Sequence, residues 1–507
     1  MINVKPAIIL ALSIPFIQFA HPEVFDGLIL YGPMNSRNTY LIDTSGQRVN
    51  TWSSNYTCAY MCYLLPDSTI WRGDVYSGAS MRGAAYGGLI QRYTWDGNII
   101  KSFVWSNTNH QQHHDICPMP NGHILLISWE RKTAAEARAM GRQNIYSDMW
   151  PDEVIEYDPE NDSVVWEWHF WDHLIQDVDS TKPNYGVVSE HPELLDINLG
   201  SVIGGDWMHC NTIDYNAERD EIILTSHNLH EIYVIDHSTT TEEARGHTGG
   251  RHGKGGDIIY RWGNPQNYDR GTSADRVFYV VHGANWIRPE MPGAGDIIVL
   301  NNGDRPGTAN DYSEIIQITP PLDSNDHYYI HPDSAFGPRT PTWSYSNPGS
   351  FYSQHLGGAY RLPNGNTFAI LGTTGRFVEV DSAGEVVWTY NIGYQIGRAM
   401  KYPRAYLTGV QEQFVVHHSE FIISPNPFDR STKLNYQLAR PGFVQLAIYD
   451  AIGRMVALLI NRQEDAGRHQ VIFKPDSRLK PGIYFALLSV LTNAGKEVGS
   501  QRLIRAR

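Results

Sequence analysis

A degenerate two-part repeat runs through most of the chain and restricts it to a short list of β architectures. One half is a Pro-Asn/Asp turn feeding an apolar strand: LLPDSTIWR at 64–72, PMPNGHILLIS at 118–128 and RLPNGNTFAIL at 361–371. The other half is an apolar strand, an acidic turn and a second strand that runs into Trp. It appears as TYLIDTSGQRVNTW ending at Trp52, LIQRYTWDGNIIKSFVW ending at Trp105, EVIEYDPENDSVVWEW ending at Trp168, and FVEVDSAGEVVWTY around Trp388. Looser copies lie at 211–237 and 295–303. Asn-Gly and Asp-Gly-like pairs supply the positive φ that tight hairpins require, and alternating Ile, Val and Tyr suit the strands between them. About six such units fall between residues 27 and 400, and four-stranded repeats of roughly 40–60 residues around one axis make a β-propeller. A sandwich of the same strands is the alternative, but the spacing is long and regular for it. The expected fold class is all-β, a six-bladed β-propeller over 21–415.

Composition agrees. The chain holds 14 Trp, 29 Tyr and 45 Gly in 507 residues, as many short strands and turns demand. A formal charge of -14 argues against a nucleic-acid partner, which needs clustered Lys and Arg for phosphate contacts. At the N-terminus, Lys5 precedes the apolar run Ala7 to Ala20, which reads as a signal peptide over 1–20 with cleavage near Ala20. A buried first strand is the other reading, and the run is short for a membrane span. The expected destination is the periplasm, the outer-membrane surface or the extracellular space. Disulfides are permitted there, and Cys58 and Cys62 are expected to pair across a turn. Cys117 and Cys210 complete the four cysteines, with no zinc-ribbon spacing. Segments 129–151, 237–256 and 320–352 interrupt the repeats; the first is Ala-rich enough for a short helix, and the others read as loops.

Composition shifts after about residue 415, where alternating strands suit an Ig-like β-sandwich over 420–507. SPNPF, YDAIGRMV and LKPGIYF in this segment resemble the C-terminal sorting modules of the type IX secretion system. That resemblance implies the secretion machinery as a partner.

Histidines mark the candidate chemistry. HQQHHDICPMPNG carries His110, His113, His114 and Asp115; GGDWMHCNTIDY carries His209; VFYVVHGANWIRPEMPGAGDIIVLNNG carries His282; SQHLGGAYRLPNGN carries His355. Each segment sits just before a turn-and-strand signature. Equivalent positions in successive blades converge near a propeller axis, so these side chains are expected to share one funnel. Neutral imidazole is a nucleophile near pH 7 and also an acid or base. Charged imidazoles stabilise an anionic group in transfer. A lone strand His is more often structural, and His110 is read that way; His247 and His252 are read as solvated loop residues. The HHD run also suits a transition ion, which keeps a metal-dependent hydrolase using it with His209 as an alternative.

Over roughly 25–400 the chain resembles the bacterial aryl-sulfate sulfotransferases, the type independent of phosphoadenosine phosphosulfate. The resemblance rests on HHDI…PNGHILL, DWMHCNTIDY, EIYVIDHSTT, DIIYRWGNPQNYDRG and HGANWI…PGAGDIIVLNNG. It implies a six-bladed propeller and ping-pong sulfuryl transfer from a small aryl sulfate donor to a phenolic acceptor through a sulfohistidine, with no cofactor and no metal. By motif match His282 is the nucleophile, while His209, and His114 with His113, bind sulfate oxygens or move protons. Two departures stand out: His227, followed by Asn228, occupies the place of the family's usual Arg, and Val281 that of a frequent Gln. His227, Asn228 and His355 are expected beside the substrate. The missing Arg keeps a non-catalytic surface-binding propeller as a further alternative, and the sequence leaves a homodimer open.

Overall fold

The turn-and-strand repeats form six four-stranded antiparallel sheets. The computed structural model describes residues 23–307, 311–407, 422–438, 441–450, 455–475, 479–492 and 495–506. The expected signal peptide lies outside them. The innermost strands of the six sheets are, in order, Cys58–Leu64, His110–Pro118, Cys210–Asn216, Val281–Trp286, Gly358–Arg361 and Ile396–Pro403. Each packs against the next and the last against the first, so they close a ring. We number the sheets as blades one to six in that order. Blade six is completed by the opposite end of the chain: Ile396–Pro403 pairs with Gly27–Pro33, which continues through Asn38–Asp43 to Arg48–Ser53. That pairing fastens the ring.

The recurrent Trp has a physical role. Near the outer edge of every blade, at least one indole donates a hydrogen bond into the following blade. Trp52 reaches Thr94 O (2.8 Å), Trp105 reaches Ser128 Oγ (3.1 Å) and Trp168 reaches Gly256 O (2.6 Å). Trp262 reaches Pro338 O (2.8 Å), Trp343 reaches Ser382 O (3.1 Å) and Trp388 reaches Thr44 O (3.0 Å). A large apolar ring with one polar tip fits a junction that is dry between the sheets and wet at the turn. The repeat therefore encodes inter-blade latches as well as strands.

At the axis, Asp115 of blade two ties the ring together. Its carboxylate pairs with Arg398 of blade six and accepts from Tyr63 Oη of blade one (2.9 Å) and from the Ile213 amide of blade three (3.1 Å). Arg398 Nε in turn donates to Tyr360 Oη of blade five (2.6 Å).

The expected pairing of Cys58 with Cys62 is not present. Their sulfurs lie 3.7 Å apart as free thiols, against about 2.05 Å for a disulfide. Both sit on one inner strand, Cys58 opposite Asp74 and Cys62 opposite Arg72, with a bulge between them. Cys117 and Cys210 are buried free thiols as well. The Ala-rich insertion forms the short helix Ala134–Ala139, capped by Thr133 and Glu136.

The chain divides into units Met1–Gly409 and Val410–Arg507. Taken by itself, the second unit has a three-stranded and a four-stranded antiparallel sheet sharing a core of Leu434, Tyr436, Leu446, Ile448, Leu488 and Leu503. This is the expected small sandwich.

Candidate active site

Five imidazoles form a row where the inner strands of blades two, three and four begin. Ring centroids are 5.1 Å apart from His113 to His114, 4.5 Å from His114 to His209, 4.9 Å from His209 to His227 and 5.7 Å from His227 to His282. The backbone is irregular where it delivers them. His114 has φ 48 and His209 φ 55, both left-handed conformations that cost a non-glycine residue roughly 1–2 kcal/mol. His282 precedes Gly283, whose φ is 74. A Cβ on Gly283 would stand 2.6 Å from the Gly358 Cα of blade five, so only glycine permits this approach. Register shifts accompany all three segments, between Gln112 and Ile116, between Cys210 and Thr212 and between His282 and Asn285. These bulges re-aim side chains that a regular pleat would send to the sheet faces.

The hydrogen bonds assign the tautomer of His282. Asn302 Nδ2 donates to the carbonyls of Ser353 (2.8 Å) and Leu356 (2.9 Å), which fixes the amide and turns Oδ1 toward His282 Nδ1 at 2.7 Å. An amide oxygen only accepts, so Nδ1 carries the proton and Nε2 keeps its lone pair. That lone pair receives only a long contact from the Leu356 amide, 3.3 Å. Complete burial, reinforced by the neighbouring His227, holds His282 well below the ordinary histidine range, so the ring is neutral.

His209 is the opposite case. Burial pulls its pKa down, but the Asp206 carboxylate 2.5 Å from Nδ1 outweighs burial and raises it. His114, buried beside His209, is driven well below the ordinary range. Its Nδ1 meets His113 Nδ1 at 2.8 Å, and His113 Nε2 lies 2.8 Å from Asp152 Oδ1. The row thus has in its middle a ring whose charged form Asp206 favours, and at one end a neutral ring with a free lone pair.

Residues 20–397 match the family described as Arylsulfotransferase (ASST). The chain belongs to the arylsulfotransferase family. Membership supports sulfotransferase activity in general. No curated protein matches the chain. Among solved structures it is similar to a protein of unknown function from Bacteroides caccae, at 10% identity over 74% of this chain and 99% of that one, TM-score 0.40. It is similar to the Pseudomonas aeruginosa periplasmic gluconolactonase PpgL, at 10% identity over 88% and 99%, TM-score 0.38. A further similarity is to the Staphylococcus aureus virginiamycin B lyase, at 12% identity over 73% and 86%, TM-score 0.32.

In this arylsulfotransferase-family protein, His113, His114, His209, His227 and His282 come together as a row. His355 lies half-buried on the loop that leads to Leu356, close enough to depress His282 electrostatically. Asn228 accepts from His227 Nδ1 (2.8 Å) and donates to Trp207 O (3.0 Å), so its amide is committed to the scaffold. His227 does not replace the charge of the absent Arg. Burial, then the adjacent His209, pull it to about 4, and it is neutral at pH 7. His209, beside Asp206, is a member of the row pushed toward the charged form.

The HHD run does not act as a unit. His113 turns to Asp152, His114 to His209 and Asp115 to Arg398. His113 and His114 meet through their Nδ1 atoms, but Asp115 is committed to Arg398, so the three do not converge on one ion. His252, expected in solvent, is buried with Nε2 2.9 Å from Glu221 Oε1. Asp206 and Asn302, which set the protonation of His209 and His282, escaped the sequence reading. Both stand inside quoted motifs, GGDWMH and VLNNG, but nothing local reveals their partners. A cavity of about 380 Å³ opens at the other end of the inner strands, lined by Leu64, Pro118, Trp286, Arg288, Arg361 and Pro403, and none of the five imidazoles lines it.

Proposed function

We propose that this protein, acting outside the cytoplasm and without a cofactor, moves a sulfuryl group from an aryl sulfate to a phenolic acceptor through a sulfohistidine on His282. The observation that carries the reading is the Nδ1–H of His282 held on Asn302, which leaves the Nε2 lone pair with only the long Leu356 amide contact, in a row where Asp206 favours the charged form of His209.

In the first half-reaction His282 Nε2 attacks sulfur and the ester S–O bond breaks. The electron pair leaves with the phenolic oxygen, which takes a proton from His209. The sulfonated ring keeps its Nδ1 proton against Asn302 Oδ1, which stabilises the positive charge developing on the imidazole. In the second half-reaction neutral His209 accepts the proton of the incoming phenol. The new phenolic oxygen attacks sulfur, and the S–N bond breaks to restore the lone pair. Charge on the sulfuryl oxygens is met by imidazole N–H groups and the Leu356 amide.

Peptide mass spectrometry after incubation with an aryl sulfate alone tests this. Sulfonated His282 is expected, and it should disappear when a phenol is added. Phenol release by His282→Ala at the wild-type rate would refute it. The neutral His227 in place of a fixed cation favours one other reading, a surface propeller that binds phenolic or glycan ligands without turnover; ligand binding with no phenol release would select it. Export rests on the apolar leader and the C-terminal module, whose resemblance points to the type IX machinery. Fractionation of cells expressing the chain with and without residues 420–507 tests that part.

A further inference from the structure

Away from the imidazole row, blade two carries a second cluster that the proposed reaction does not use. The sheet register creates it. His110 on the inner strand lies opposite Glu130 on the strand Ile124–Glu130. Glu153 on the strand Asp152–Asp158 lies opposite His169 on the outer strand Ser163–His169, and also opposite Ser128. Glu130 is two residues from Ser128, so strand alternation puts all four side chains on one face of the sheet. Asp152, the next residue along, points to the other face and serves His113.

The distances suit a metal ion. Donor atoms of Glu130, Glu153 and His169 all lie within 4.8 Å of one another. His169 Nδ1 is 3.3 Å from Glu153 Oε2 and 3.5 Å from Glu130 Oε2. Zinc bonds of about 2.0–2.1 Å at tetrahedral angles place donors roughly 3.3 Å apart. His110 Nδ1, 2.8 Å from Glu153 Oε1, stands next to the same carboxylate.

The second, independent observation is unsatisfied polarity. Glu130 is 4% exposed and Glu153 is fully buried, yet Glu130 Oε1 has no hydrogen-bond partner and Glu153 Oε2 has only the long His169 contact at 3.3 Å. Buried carboxylate oxygens in that state are costly. Lys132 Nζ, 2.6 Å from Glu130 Oε2, neutralises one charge but leaves Oε1 unserved. A protonated His169 would balance the remaining charge and still leave that oxygen without a donor. We infer that Glu130, Glu153 and His169, with His110 at the edge, bind a divalent transition ion of the zinc class. Mixed carboxylate and imidazole donors favour such an ion over calcium, which takes oxygen ligands. Its role is to lock the four strands of blade two, and it takes no part in sulfuryl transfer.

The full chain, stripped with chelator and titrated with Zn²⁺ by calorimetry, should take up about one tightly held ion. The near-isosteric Glu153→Gln and His169→Gln should each weaken uptake roughly a hundredfold. His247→Ala, which breaks the half-exposed His173–His247–Asp257 group, should leave it intact. Absence of uptake, or uptake lost in His247→Ala and kept in Glu153→Gln, would overturn the inference. Should the blade-two variants fail to fold, wild-type chain loaded with Co²⁺ decides. Nitrogen and oxygen donors give weak d–d bands, whereas a thiolate charge-transfer band, or no binding, would overturn it, because the cluster contains no cysteine.

Discussion

Replacing Asp206 with Asn should slow the enzyme most with the poorest leaving groups. Asp206 and His209 are only 15% and 14% exposed, and their 2.5 Å contact is a charge-assisted hydrogen bond with little solvent screening. Asp206 Oδ1 accepts from Trp129 Nε1 at 3.0 Å, so the oxygen of an introduced amide stays on that donor. The amide nitrogen then faces His209 Nδ1. It is a donor, so His209 must offer a lone pair there and can no longer be held as the cation. Burial, opposed by Asp152 but no longer by Asp206, pulls the His209 pKa down. A hydrogen bond to a charged group contributes roughly 1.5–3 kcal/mol, and at about 1.4 kcal/mol per decade this is a loss of roughly ten- to two-hundredfold in kcat. The assay is a series of aryl sulfates with leaving-group phenols of increasing pKa, read at several pH values. Wild-type activity should decline on the alkaline side as His209 loses its proton. In Asp206→Asn that limb should move to lower pH, and the rate should depend more steeply on leaving-group pKa. An unchanged alkaline limb, or equal losses for good and poor leaving groups, would refute His209 as the proton donor.

Asn302→Ala should lower kcat by roughly ten- to a hundredfold while leaving donor KM nearly unchanged, because a freed imidazole loses its fixed tautomer and the carbonyls of Ser353 and Leu356 each lose one donor; steady-state kinetics at fixed pH reads this. Trp52→Ala should destabilise the propeller by about 3–5 kcal/mol, since it empties a fully buried ring site and removes the latch to Thr94, with denaturant titration as the measurement. His237, between Glu156 of blade two and Asp220 of blade three, is pulled down by burial, but those two carboxylates outweigh it and raise it to about 9. Its folded pKa exceeds its unfolded value of about 6.5, so the contribution is complete below about pH 6.5 and is lost as pH rises through about 9. The stability gap between wild type and His237→Gln, on the order of 3 kcal/mol at its largest, should therefore shrink toward zero above that range in denaturation curves taken across pH.

The β-repeat architecture and the segments that carry the histidines are legible in the chain alone. Hairpin turns and the outer-edge Trp are specified within each repeat, because φ preferences and strand alternation act between near neighbours. The positions of His114, His209 and His282 could likewise be referred to the repeat. Their protonation could not. It depends on Asp206, on an amide fixed by Ser353 and Leu356, and on burial that exists only once the ring closes. The same holds where the structure departs from the alternatives and expectations the sequence offers. Asp115 left the supposed metal run because its partner, Arg398, lies 283 residues away. Cys58 and Cys62 remain free thiols 3.7 Å apart across a bulge, and His252 is buried against Glu221. Tertiary structure decided these points because charge, tautomer and register are set by groups that meet only through the fold.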